Sequence, residues 1–250
     1  MDIEGRVGSF VHDDPGRAVV LRTVRGRNLH VERNADRVFP AASLMKVPLA
    51  VAALDHLDAA LVVTRSELGR TAYPSLLEVF GLDHEFTLAE LCGLMLATSD
   101  NPIADYLLDR VGRDAVTATA VRTGAHRTQM RVGFTDDELG PAARESTTTA
   151  RDVACILQYV ATEPRLRPLV RALRNSMRNF RLPLRLPDEL PVAHKTGSLN
   201  GLAHDAGILF GRDSDLIAVF LTDNQRDTAA VGVHIGDCVA DVWQLLGESV

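Results

Sequence analysis

The 250 residues predict an α+β fold: an antiparallel sheet formed by both chain ends with packed helices, plus an inserted all-helical lobe. Three observations carry this reading. Strand-like runs lie near the start and again after Pro191. Between them stands a long block whose apolar residues recur at helical spacing. In the last segment Val231, Ile235, Cys238, Val242 and Leu246 recur every three or four positions, giving one apolar face suited to a sheet.

The elements follow in order. Residues 6–12 and 18–24 read as two strands around the turn Asp13-Asp14-Pro15-Gly16. Helices are expected at 43–57, 88–98, 102–111, 114–123, 149–161 and 165–177. Thr87 with Glu90 is a capping-box signature before an apolar run. Strands return at 192–196, 203–210 and 216–222, and a final helix spans 228–246. Hairpins favour antiparallel pairing. The sheet lobe is assigned to 1–38 and 182–250 and the helical lobe, carrying the candidate nucleophile, to 39–181. A cleft between lobes is a natural site for a small molecule.

Composition narrows the function. Net charge is −6 with acids and bases interleaved, which argues against nucleic-acid or anionic-membrane partners. No apolar run approaches the roughly 18 residues of a membrane span. The expected partner is a small-molecule substrate, and the expected state a monomer. The start, Met1-Asp2-Ile3-Glu4-Gly5-Arg6, lacks the basic and apolar regions of a signal peptide. Two locations stay open: cytoplasmic as written, or secreted or periplasmic after removal of a leader. Cys92, Cys155 and Cys238 have no metal-ligand or redox spacing and read as core residues.

Of the 27 basic residues only Lys46 and Lys195 are lysines. Lys46 stands three residues after Ser43, at the opening of a predicted helix. At i and i+3 the two side chains share a face. A serine in the first turn also sits near unpaired N–H groups and the positive end of the dipole, which favour an alkoxide or oxyanion. A buried lysine can lose its proton near neutral pH, and an arginine cannot. Taken alone, the pair is also a helix cap beside a surface lysine, the commoner occurrence of this spacing.

Lys195 stands in His194-Lys195-Thr196-Gly197-Ser198. In a strand Thr196 and Ser198 point to one side, and Gly197 lets a ligand approach the backbone. This suits a substrate carboxylate and an N–H donor to its carbonyl; it is also an ordinary strand end. Ser99-Asp100-Asn101 precedes Pro102, where such residues commonly form turns and caps. In a functional reading Ser99 relays a proton to a leaving group and Asn101 bonds an amide. His194 and His204 read as partly buried polar residues. With Asp205 they make no convincing metal set, and no metal or cofactor is expected. Tyr73 is either at the cleft rim or packing.

SxxK, SDN and KTG in that order resemble the penicillin-recognising SxxK serine hydrolases, and class A β-lactamases most closely. The spacings are 56 residues from Ser43 to Ser99 and 96 from Ser99 to Lys195. Phe39-Pro40-Ala41-Ala42, Met95-Leu96-Ala97-Thr98 and Thr147-Thr148-Thr149 extend the resemblance over nearly the whole chain. It implies Ser43 as acylated nucleophile, Lys46 as its proton acceptor, and Ser99 as the shuttle to the lactam nitrogen. Asn101, Lys195, Thr196, Gly197 and Ser198 become substrate contacts, and the N–H groups of Ser43 and Ser198 an oxyanion hole.

One stretch departs from the family. Where class A enzymes carry the glutamate that activates the deacylating water, this chain reads Arg131-Val132-Gly133-Phe134-Thr135-Asp136-Asp137-Glu138-Leu139-Gly140. Anchoring on Arg131 and Leu139 puts Asp136 at the base position. Phe134 replaces an arginine, and Ser146 falls where that arginine's aspartate partner is expected. Loss of both salt-bridge partners implies a loop held in another way. Asp reaches about 1.5 Å less far than Glu, so Asp136 works from a loop moved inward, Glu138 substitutes, or water is activated poorly. The bland alternative is a solvated acidic loop. The expected function is a serine hydrolase of the class A β-lactamase type with weakened deacylation. The alternatives are a D-Ala-D-Ala carboxypeptidase, esterase or amidase with the same machinery, or a non-hydrolytic β-lactam-binding protein.

Overall fold

The computed structural model describes residues 2–12, 14–69, 75–135 and 145–247. Tyr73, Asp136 and Glu138 lie outside these residues. Its centre is a five-stranded antiparallel sheet of β1 (Arg17–Arg25), β2 (His30–Arg33), β7 (Val192–Leu199), β8 (Leu202–Phe210) and β9 (Asp215–Thr222), ordered β2-β1-β9-β8-β7. N-terminal β1 pairs with C-terminal β9, Val19 opposite Phe220 and Leu21 opposite Ala218, so both chain ends build one sheet.

Both sheet faces are covered, which explains why β9 reads as a continuous apolar run from Leu216 to Leu221 rather than an alternating one. On one face Val19, Leu21, Leu216, Ala218 and Phe220 meet α1 (Ile3–Val11) and α8 (Thr228–Leu245). On the other, Ala18, Val20, Ile217, Val219 and Leu221 meet Ala150, Val153, Ala154 and Leu157 of α6 (Ala150–Thr162). The period-2 geometry of a strand sends neighbouring residues to these two separate cores.

The helical lobe surrounds α2 (Lys46–His56), whose residues from Lys46 to Ala53 are all buried. A helix apolar on every side belongs inside a lobe. It packs against α3 (Leu88–Thr98), α4 (Asn101–Val111) and α5 (Arg113–Arg122), while α7 (Arg167–Arg174) lies against α3 and β7. The Thr87–Glu90 capping box is formed reciprocally. Two ribbons interrupt the helices: β3 (Phe39–Pro40) with β6 (Thr147–Thr148), and β4 (Val62–Thr64) with β5 (Glu85–Thr87). Such short strands are set by their long-range partners and leave no periodicity to read.

Three expectations are corrected. Residues 6–12 are not a strand: 6–11 belong to α1 and His12 is its C-cap. Asp2 caps it by accepting from the Gly5 N–H at 2.8 Å, and Val7, Phe10 and Val11, at helical spacing, are buried. The 165–177 helix ends at Arg174, and Met177 instead donates its N–H to Ala97 O at 3.0 Å. Cys92 and Cys238 are core residues, their thiols pushed up to about 12 by burial, but Cys155 is only partly buried.

Candidate active site

Ser43 sits in a 3-10 turn, Ala42–Met45, that leads into α2 at Lys46. The expected helix start is therefore a tighter turn, in which i and i+3 side chains eclipse. Ala42, just before the serine, holds φ +48°, a left-handed conformation unusual for a residue with a Cβ. Lys46 Nζ donates to Ser43 Oγ at 3.2 Å, Ser99 O at 2.9 Å and Asn101 Oδ1 at 2.5 Å, with Ser99 Oγ at 3.4 Å. The side chain is 0% exposed. Burial lowers its pKa from 10.5 to about 7; Asp100 and Asp105 oppose the shift and Arg178 adds to it.

Ser99 ends α3 at φ +63°, ψ +35°, a conformation that turns both its carbonyl and its hydroxyl toward Lys46. The same hydroxyl accepts from Lys195 Nζ at 2.9 Å, so it stands between two amines. Lys195 is 2% exposed, and its pKa lies well below 10.5, first because of burial and then because of the Lys46 and Arg178 cations. Asp100 has a structural role: it caps α4 through the Ile103 N–H at 3.1 Å and is hydrogen-bonded by Ser75 Oγ. Thr196 and Gly197 are buried on β7, whereas Ser198 is exposed.

Two residues missed in the sequence complete the surroundings. Buried Arg181 donates from Nη1 to Gly197 O at 2.9 Å and His204 O at 2.5 Å, and from Nη2 to Ser198 Oγ at 2.7 Å. Nothing local separates it from the other arginines. Asp105 accepts from Phe134 N and Thr135 N, each at 2.7 Å, and from Thr135 Oγ1. Its signal was available: it lies four residues after Asn101, on the same helix face.

The beginning of the departing loop is described. Asn101 Nδ2 donates to Phe134 O at 2.8 Å, and the Phe134 ring centre lies 4.8 Å from Lys46 Nζ. Ser146 Oγ accepts from the N–H groups of Arg131 at 3.0 Å and Val132 at 3.2 Å. Main-chain bonds to Asp105 and Ser146 thus hold this segment. Of the predicted residues, Ser43, Lys46, Ser99, Asn101 and Lys195 are joined by direct contacts, Thr196 O accepts from Lys195 Nζ at 3.0 Å, and Gly197 and Ser198 continue that strand. His194 is buried, its Nδ1 2.9 Å from Asp205 Oδ1 and its Nε2 2.9 Å from Asn179 Oδ1.

This fold matches that of a β-lactamase from Sphaerobacter thermophilus at TM-score 0.85 and 22% identity, over 99% of this chain and 98% of that one. A β-lactamase from Chitinophaga pinensis matches at TM-score 0.86 and 22% identity, over 98% and 99%. A mutant of PBP-A, solved as an acyl-enzyme complex with penicillin G, matches at TM-score 0.82 and 21% identity, over 98% and 96%. The architecture is the β-lactamase/transpeptidase-like fold. The profile of the Beta-lactamase enzyme family matches residues 7–246, and the chain belongs to that family of hydrolases.

Proposed function

We propose that the chain is a serine hydrolase of the class A β-lactamase type, opening β-lactam amides through an acyl-enzyme on Ser43. The observation that carries this is a fully buried amine, 3.2 Å from Ser43 Oγ, whose pKa is lowered to about 7. Neutral Lys46 keeps a lone pair for the Ser43 proton as Oγ bonds to the lactam carbonyl carbon. The N–H groups of Ser43 and Ser198 receive the oxyanion. As the tetrahedral intermediate collapses, the C–N bond breaks. Ser99, between the two lysines, gives its proton to the departing nitrogen and is reprotonated from Lys46. Lys195 and Thr196 take the substrate carboxylate, Asn101 bonds the acyl amide, and Gly197, whose missing Cβ faces His204 and Ala42, lets β7 pack closely beside the Ser43 turn.

Deacylation is the slow step in this reading. A water must attack the ester carbon and lose a proton to Asp136 or Glu138, and Asp136 is one methylene short of the family's glutamate. The PBP-A likeness and this replacement favour a second reading, a carboxypeptidase, esterase or amidase using the same acylation machinery. Intact mass followed over time with a penicillin separates these. A transient adduct with product is the expected result. A lasting adduct points to a peptidase or a binder, and no adduct points to another substrate. Ser43→Ala must abolish any adduct; one that persists would overturn the assignment of the nucleophile.

A further inference from the structure

One buried ring beside the site has no part in the chemistry above. His204 lies on β8 directly opposite Gly197 of β7 and is 0% exposed. Its Nε2–H donates to Pro40 O at 2.7 Å, and its Nδ1 accepts from the Thr222 N–H at 3.0 Å. A carbonyl only accepts and a backbone amide only donates, so these partners select the neutral Nε2–H tautomer. A Cβ placed on Gly197 would meet His204 Cδ2 at 3.2 Å and Ala42 Cβ at 3.3 Å. The β7 backbone is therefore wedged between this ring and the residue before Ser43. Pro40 also pairs with Thr147 across the β3–β6 ribbon, and Ala41 donates its N–H to Ser146 O at 2.7 Å. The backbone entering the Ser43 turn is thus clamped from the ribbon on one side and from His204 on the other.

We propose that His204 is a positioning residue: by donating to the Pro40 carbonyl, it fixes the turn that carries Ser43 against the β7 strand that carries Ser198. The inference rests on Ser43 being the acylated nucleophile. Buried His204 works through the backbone, without touching substrate. Displacing a reacting group by 1 Å can slow a reaction by about 100-fold, so a small slip of this turn is enough.

The test uses two polar replacements of opposite reach. Glutamine places its amide nitrogen near the position of Nε2 and keeps a donor for Pro40 O. Asparagine places its oxygen near Nδ1, keeping the Thr222 partner and losing the Pro40 donor. With a penicillin, His204→Gln should acylate within about threefold of wild type, and His204→Asn at least about tenfold more slowly, with the Kd before acylation unchanged. Equal rates in the two variants, or a loss confined to Kd, overturn the inference. Should His204→Asn fail to fold, NMR of the wild-type histidine ring decides. An Nε2–H tautomer at the pH of fastest acylation supports the inference, and an Nδ1–H tautomer or imidazolium overturns it. A wild type that forms no adduct rejects the reading of Ser43 and this inference with it. A reactive wild type with indistinguishable variants rejects the inference alone.

Discussion

At the scale of a residue, Lys46 is a buried amine held among the oxygens of Ser43, Ser99 and Asn101. Burial is the main cause of its lowered pKa, about 7, and Arg178 lowers it further. In the proposed mechanism acylation needs the neutral amine, so its rate should rise with pH and level off above about 7. A flat acylation profile across neutrality would remove Lys46 from the base role. Lys46→Arg keeps a cation that cannot deprotonate, and stopped-flow acylation should fall by roughly 100- to 10,000-fold. Arg178→Gln removes a charge that disfavours the protonated amine. The Lys46 pKa then rises and the midpoint of the profile moves to higher pH; an unchanged or lower midpoint contradicts this. At the acidic loop, Asp136→Glu restores the missing methylene, and adduct lifetime measured by intact mass should shorten by at least about tenfold. The residue types at these positions were legible because only lysine among the cations titrates usefully. The lowered pKa was not, because it depends on burial among residues distant in the chain, such as Ser99, Asn101 and Phe134.

Elements set what those residues can reach. The α4 helix presents Asn101 to Lys46 and, one turn later, Asp105 to the start of the acidic loop. Asp105→Ala leaves the Phe134 and Thr135 N–H groups without this partner. Chemical denaturation should show a loss of about 1–3 kcal/mol. The same change removes an anion that raises the Lys46 pKa, so the acylation midpoint should move to lower pH. Most helices were readable from 3.6-residue periodicity, and Thr87 with Glu90 announced its own start. The α1 segment was misread because its apolar residues are few and Gly8 interrupts them. Its identity depends on the Asp2 cap and on docking Val7, Phe10 and Val11 against α8 and the sheet. Phe10 also meets the Phe220 ring edge-on at 5.1 Å. Phe10→Ala should destabilise the chain by about 3–5 kcal/mol in urea unfolding.

On the scale of the whole molecule, the site exists because a helical lobe and a twice-covered sheet meet at β7. That strand cannot shift without moving Lys195. Gly207 on β8 shows how tight the fit is: a Cβ there would lie 2.5 Å from His194 Cβ and 2.6 Å from Ala193 O. Gly207→Ala should lower stability by about 1–3 kcal/mol and slow acylation as well. A variant as stable and reactive as wild type would show that β7 can yield. By itself, the sequence determined the α+β class, the order of Ser43-Leu44-Met45-Lys46, Ser99-Asp100-Asn101 and Lys195-Thr196-Gly197, and the departure near Asp136, because residue type and local periodicity are properties of the chain alone. The tertiary structure decided that Lys46 sits buried at an oxygen cluster, that Ser99 stands between two amines, and that Asp105, Arg181 and His204 hold the backbone around them. These depend on desolvation and on contacts between residues distant in the chain, such as Lys195 with Ser99 and His204 with Pro40, and no local pattern encodes such distances.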